Sequence, residues 1–125
     1  MTAPENQPQF DPNILDTSVI EGLRELGGDD DPGLLMELVE MFLDDAPNRL
    51  KEMEQSMAVG DLDTMRRAAH TLKSSAANMG SVLLSQICSK MEDAARSEDS
   101  DTYATMVPGC LSAFGDFEKA LRQIS

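Results

Sequence analysis

Apolar residues recur at steps of three and four through most of this chain, and no stretch alternates with the period of two that a half-buried strand requires. That periodicity confines the fold to helices that each bury one face. The longest stripe is Leu35, Leu38, Phe42, Ala46, Leu50, Met53 and Met57, one face along about 25 residues. A second runs Leu62, Met65, Ala69, Leu72, Ala76, Met79, and a third Leu84, Ile87, Cys88, Met91, Ala95. The last is Val107, Cys110, Phe114, Phe117, Leu121, Ile124. Stop signals separate them: Gly27-Gly28, Gly60, Gly80 and the polar run Ser97 to Asp101. Start signals precede them. Ser18 and Glu21 have capping-box spacing for a short first helix near Asp16, Asp31-Pro32 reads as an N-cap with proline in the first turn, and Ser81 can cap the fourth helix. Pro47 is expected to kink the long helix without breaking its stripe, and Pro108 to bend or begin the last one. The predicted fold is all-α, an antiparallel four-helix bundle with a short additional N-terminal helix. Residues 1–15, with prolines at 4, 8 and 12, read as an extended tail, and residues 16–125 as the bundle domain.

With 41% hydrophobic residues in 125, the chain can build one small core. No charged-then-apolar leader and no apolar run near the roughly 18 residues of a span occur, so a soluble cytoplasmic protein is expected. Cys88 and Cys110 lie on helical stripes without CxxC spacing or a second histidine, which argues against a metal site and for half-buried thiols. A net charge of −13 argues against nucleic acid and anionic membranes as partners. From Thr64 to Met91, however, there is no Asp or Glu, while Arg66, Arg67, Lys73 and Lys90 all fall there. Such a basic patch on an acidic body steers a partner with an acidic site. Each stripe is used within the bundle, so a monomer is expected.

The single histidine, His70, sits in this basic segment. On the third helix it lies on the order of 120° from the centre of the apolar stripe and therefore faces water. Its helical neighbours are Arg66, Arg67, Lys73 and Ser74, with Ala77 a turn further on. The cations favour a neutral, nucleophilic ring and any negative group attached to it. Ser74 and Ala77 leave a flat surface that another protein can approach closely. A phosphoryl group fits these features, because its transfer needs an in-line nucleophile and compensating positive charge but little other machinery.

The segment His-Thr-Leu-Lys-Ser-Ser-Ala-Ala-Asn-Met-Gly, residues 70–80, resembles the core pattern of the histidine-containing phosphotransfer (HPt) domains of multistep two-component signalling. His70, Lys73, Ser75 and Gly80 match it. Ser74 departs from it, since the family commonly has Gly there. The resemblance spans about residues 16 to 124 and includes the long helix with internal Pro47 and the later Met-Glu-Asp-Ala-Ala-Arg helix. It implies a phosphorelay carrier whose His70 accepts a phosphoryl group at Nε2 from a receiver-domain phospho-aspartate and passes it to another receiver aspartate. The implied partners are receiver domains of response regulators or hybrid histidine kinases. Lys73 would offset phosphate charge, with Arg66, Arg67 and Lys90 as further electrostatic candidates. Glu92 lies where the family often supplies a polar side chain to orient the imidazole, although a carboxylate there acts in the opposite sense to the basic neighbours. No cofactor is implied, since Mg²⁺ would sit in the receiver's acidic pocket. The chain has no GxxxxGK[ST] loop and no α/β segment to hold ATP, so it is read as a carrier lacking a kinase domain. Two rivals stay open: a helical adaptor that binds a signalling partner without carrying phosphate, and an enzyme using His70 as general base or metal ligand. Against the enzyme, His70 has no carboxylate three or four residues away on its own helix and no second His or Cys on that face.

Overall fold

The apolar stripes close on one another as four long helices. The computed structural model describes residues 10–124, and among these the elements are α1 (Thr17–Gly27), α2 (Leu34–Val59), α3 (Leu62–Met79), α4 (Val82–Arg96) and α5 (Ser100–Ile124), with no strand. Neighbours around the bundle run α2, α3, α4, α5 and back to α2, and α1 lies against α2 and α3. The two- and three-residue connections after α2, α3 and α4 force successive helices to run antiparallel. Leu35, Phe42, Ala46, Leu50 and Met53 of the expected α2 stripe are buried, joined by Val39, while Leu38 and Met57 are half-buried at its margin. Phe42 meets Phe117 edge-on at 5.4 Å and Phe114 at 6.1 Å, which fastens α2 to α5. The fully buried Tyr103 crosses the bundle from α5, its hydroxyl donating to the Met65 carbonyl of α3 at 2.9 Å. Cys88 and Cys110 are fully buried rather than half-buried, as free thiols with their sulfurs 3.9 Å apart.

Three helix starts differ from the sequence reading, each for a local reason. The cap of α1 is Asp16, whose carboxylate accepts from the Ser18 N–H at 3.0 Å and from its hydroxyl at 2.6 Å. Ser18 is thus inside the first turn, and Glu21 pairs with Arg24 instead of closing a capping box. In α2 the cap is Gly33, and Asp31-Pro32 forms the preceding turn through an Asp31 carbonyl bond to the Leu34 N–H. In α5 the helix begins at Ser100, with the Asp99 carboxylate accepting from Thr102, and runs on through Pro108. Pro47 and Pro108 both lie on exposed faces, where the carbonyls left unbonded by their missing N–H can meet water.

Residues 1–9 of the expected tail lie outside the described residues. Its last residues form a strap across the end of the α3–α4 pair. Asp11 closes a turn onto Ile14 and Leu15, and Leu15 enters the core at 1% exposure. The Asn13 carbonyl accepts from the Leu83 N–H at 2.8 Å, and the Asp16 N–H donates to the Gly80 carbonyl at 2.7 Å. Gly80 makes this possible: it ends α3 at φ 93°, and a Cβ there would stand 3.1 Å from the Asp16 carbonyl oxygen and 3.3 Å from the Val19 Cβ. Gly80→Ala is therefore expected to destabilise the fold by about 1–2 kcal/mol from the left-handed backbone alone, and more if the strap lifts. Urea unfolding of the two proteins measures it.

Candidate functional site

α3 turns one arc inward (Met65, Ala68, Ala69, Leu72, Ala76, Met79) and leaves His70 on the outer face with its side chain 54% exposed. α4 buries Leu84, Cys88, Met91 and Ala95, and Glu92 follows Met91 on the flank that rolls into the α3–α4 seam. Its carboxylate is sealed there at 1% exposure. Three donors meet it: His70 Nδ1 on Oε2 at 2.8 Å, Lys73 Nζ on Oε1 at 2.6 Å, and Arg96 Nη2 on Oε2 at 3.1 Å. Burial alone would raise the Glu92 carboxyl above its ordinary value of 4.5, but the hydrogen bonds and charges of Lys73 and His70 outweigh it and hold it below. An ionised carboxylate can only accept, so Nδ1 carries the hydrogen. Nε2, across the ring, presents its lone pair outward.

The other candidates divide between those near the ring and those turned from it. Arg66 and Arg67 share the His70 face, but both are held by Asp63, at 3.0 and 3.1 Å, a carboxylate just outside the acid-free segment. Lys73 is engaged by Glu92 and is not a free cation beside the ring. Asp63 and Glu92 thus offset two of the four cations Arg66, Arg67, Lys73 and Arg96, leaving a net positive face on an acidic body. Lys90 is exposed two residues before Glu92, and so about 160° around α4 from it. Ser74 and Ala77 are exposed on the His70 face as expected. Beyond Ala77 the surface dips into a groove of about 270 Å³ bounded by Asp16, Val19, Gly80, Val82, Ser85 and Gln86.

Arg96 went unseen in the sequence, although its spacing of four from Glu92 is the signal that finds it. Glu92 itself reaches the ring from a helix 22 residues on, which no pattern around His70 announces.

The Hpt domain family matches residues 37–124, most of the chain. The chain belongs to the Hpt family. Its fold is similar to that of histidine-containing phosphotransfer protein B (HptB) from Pseudomonas aeruginosa PAO1, at a TM-score of 0.79 and 28% identity over 87% of this chain and 91% of that one. The HPT domain of the Hpt sensor hybrid histidine kinase from Shewanella shares the fold at a TM-score of 0.73 and 18% identity, over 91% of this chain and 95% of that one. No curated protein matches the sequence. Membership gives this Hpt domain a phosphotransfer role in a two-component phosphorelay. Among its described residues, no helix is long and apolar enough to cross a membrane.

The lowered Glu92 carboxyl links the site to stability. Its contribution is fully present above the ordinary value of 4.5 and is lost as the pH falls through the lower value it has in the folded protein. The stability difference between wild type and Glu92→Gln is therefore expected to shrink below pH 4.5. The capping aspartates Asp16, Asp61 and Asp99, held low by their Ser18, Thr64 and Thr102 bonds, titrate alike in both proteins and cancel. Urea unfolding at stepped pH reads the difference.

Proposed function

We infer that this Hpt domain carries its phosphoryl group on Nε2 of His70, taking it from a receiver-domain phospho-aspartate and giving it to the aspartate of another receiver. The observation that carries the reading is the two-sided environment of the ring: Nδ1 is fixed by a buried carboxylate and Nε2 is left free at the surface. A nucleophile held in one tautomer and one orientation needs only an in-line phosphorus. The exposed Ser74 and Ala77, beside a net positive face, suit close approach by the acidic mouth of a receiver. Receivers of response regulators or of hybrid histidine kinases are the partners this surface fits, and Mg²⁺ belongs to the receiver's site. The domain acts without a cofactor of its own and without ATP, in the cytoplasm and as a monomer.

His70→Gln is expected to stay folded, costing about 1 kcal/mol or less because Arg96 still donates to the same Glu92 oxygen. It should take up no label from a phosphorylated receiver, yet still bind one. Lys73→Ala, which removes one of the cations near the ring and frees Glu92 Oε1, should slow transfer by about tenfold or more without abolishing it. Incubation with labelled receivers one at a time measures both. Label on a folded His70→Gln protein would refute the carrier reading. Tight binding by wild type with no label acquired would favour an adaptor instead. Sedimentation at micromolar concentration should show a single protomer, and a tight dimer there would overturn the monomeric assignment.

A further inference from the structure

We propose that the Ser74 hydroxyl binds the phosphoryl group once it is on His70, donating to one of its oxygens and lengthening the life of the phosphohistidine. This rests on the reading of His70 as the acceptor and goes beyond the flat surface that Ser74 offers a partner. Where the family commonly has Gly there is no hydroxyl, so the donor distinguishes this chain.

Phase on α3 puts this donor on the side of the ring that the phosphoryl group takes. Lys73 stands about 60° around the helix from His70 in one direction, and Ser74 about 40° in the other. The Glu92 carboxylate holds both Lys73 and His70 Nδ1, so Nδ1 is drawn to the Lys73 flank. The opposite edge of the ring, Cδ2 and Nε2, is thereby turned to the Ser74 flank. Ser74 is exposed, one turn or about 6 Å along the axis from His70. Its Cα–Cβ bond tilts back toward the start of α3, and hence toward the ring. A phosphoryl group on Nε2 brings its oxygens within reach of that hydroxyl.

The hydroxyl is uncommitted, whereas the charged donors are not. Among the described residues Ser74 bonds no other side chain and no carbonyl, while the next residue, Ser75, gives its hydroxyl to the Thr71 carbonyl at 3.0 Å. Arg66 and Arg67 are drawn by Asp63 toward the preceding turn, and Lys73 and Arg96 are held by Glu92. Ala77 carries no donor, and Asn78 lies two turns from the ring. When the group arrives, the Nε2 lone pair attacks phosphorus and the P–O pair leaves with the donor aspartate, while the Ser74 proton stays on its own oxygen. When the group is lost to hydrolysis, a water oxygen bonds to phosphorus, the P–N pair returns to Nε2, and both water hydrogens leave with the inorganic phosphate. That loss passes through a loose transition state in which electron density from the phosphoryl oxygens helps to expel the ring nitrogen. A donor on one of those oxygens withholds density and slows the loss.

The test compares wild type, Ser74→Ala and Ser74→Thr, each labelled by a phosphorylated receiver, separated from it, and followed for loss of label near neutral pH. Removing the receiver takes docking out of the measurement. Ala keeps His70 and every charge around it, so it should still take up label. As the better helix former it should also leave the urea midpoint equal or higher. Its phosphohistidine is nevertheless expected to be shorter-lived than that of wild type by about threefold to tenfold, as the net worth of one hydrogen bond implies. Thr, which retains the hydroxyl, should recover most of the wild-type lifetime. A Thr variant as short-lived as Ala would overturn the proposal, since the loss would then follow from packing at that turn and not from the hydroxyl. A wild type that never takes label fails the carrier reading and this one with it, whereas label taken up and then lost equally fast by wild type and Ala fails this one alone.

Discussion

Sealing an ionised carboxylate between two helices costs several kcal/mol unless good partners meet it, and at Glu92 the structure supplies three. Two come from α3 and one from the next turn of α4, so the carboxylate also fixes the register of the two helices. Slide α4 by one residue and Glu92 rotates by about 100° out of the seam, leaving Lys73 and His70 without their acceptor. The chemistry of the exposed ring therefore depends on a group that solvent never sees.

The rest of the bundle holds that register. The α3–α4 connection is tight because Gly80 accepts a backbone conformation that other residues resist, and its carbonyl is tied to the start of α1. At the other end of α3, the Tyr103 hydroxyl grips the Met65 carbonyl from across the core. His70 lies between these two anchors, on a helix fixed near both ends. The positive face around it is assembled mainly from side chains of that one helix, and Asp63 moderates it, so the basic patch is smaller than a count of its cations suggests.

Much of this was legible in the sequence because it follows from period and punctuation. The stripes name most core residues of α2 to α5, though not Val39, Ala68, Ala94, Tyr103, Ala113 or Ala120, Gly60 and Gly80 mark true helix ends, and the exposure of His70 follows from its phase on α3. Less legible was whatever depends on a partner from another helix. A glutamate is ordinarily a solvated residue, and the pattern around His70 contains nothing to say that Glu92 is buried. The clue was its phase, about 40° from Cys88 on the α4 wheel, with Arg96 one turn beyond. Asp31-Pro32 does announce α2, one turn early, whereas Pro108 does not begin α5, because an exposed proline also fits inside a helix when water takes over the orphaned carbonyl.

The imidazole spans a boundary between two dielectric media. Its inner nitrogen faces a carboxylate in a dry seam, where charges interact strongly, and its outer nitrogen faces bulk water, which screens Arg66 and Arg67. A protein that seats itself over Ser74 and Ala77 expels that water. The same fixed charges then act through a medium of lower permittivity, with no side chain having to move. Docking as proposed would thereby strengthen an electrostatic field that is already in place and that solvent mutes in the free domain.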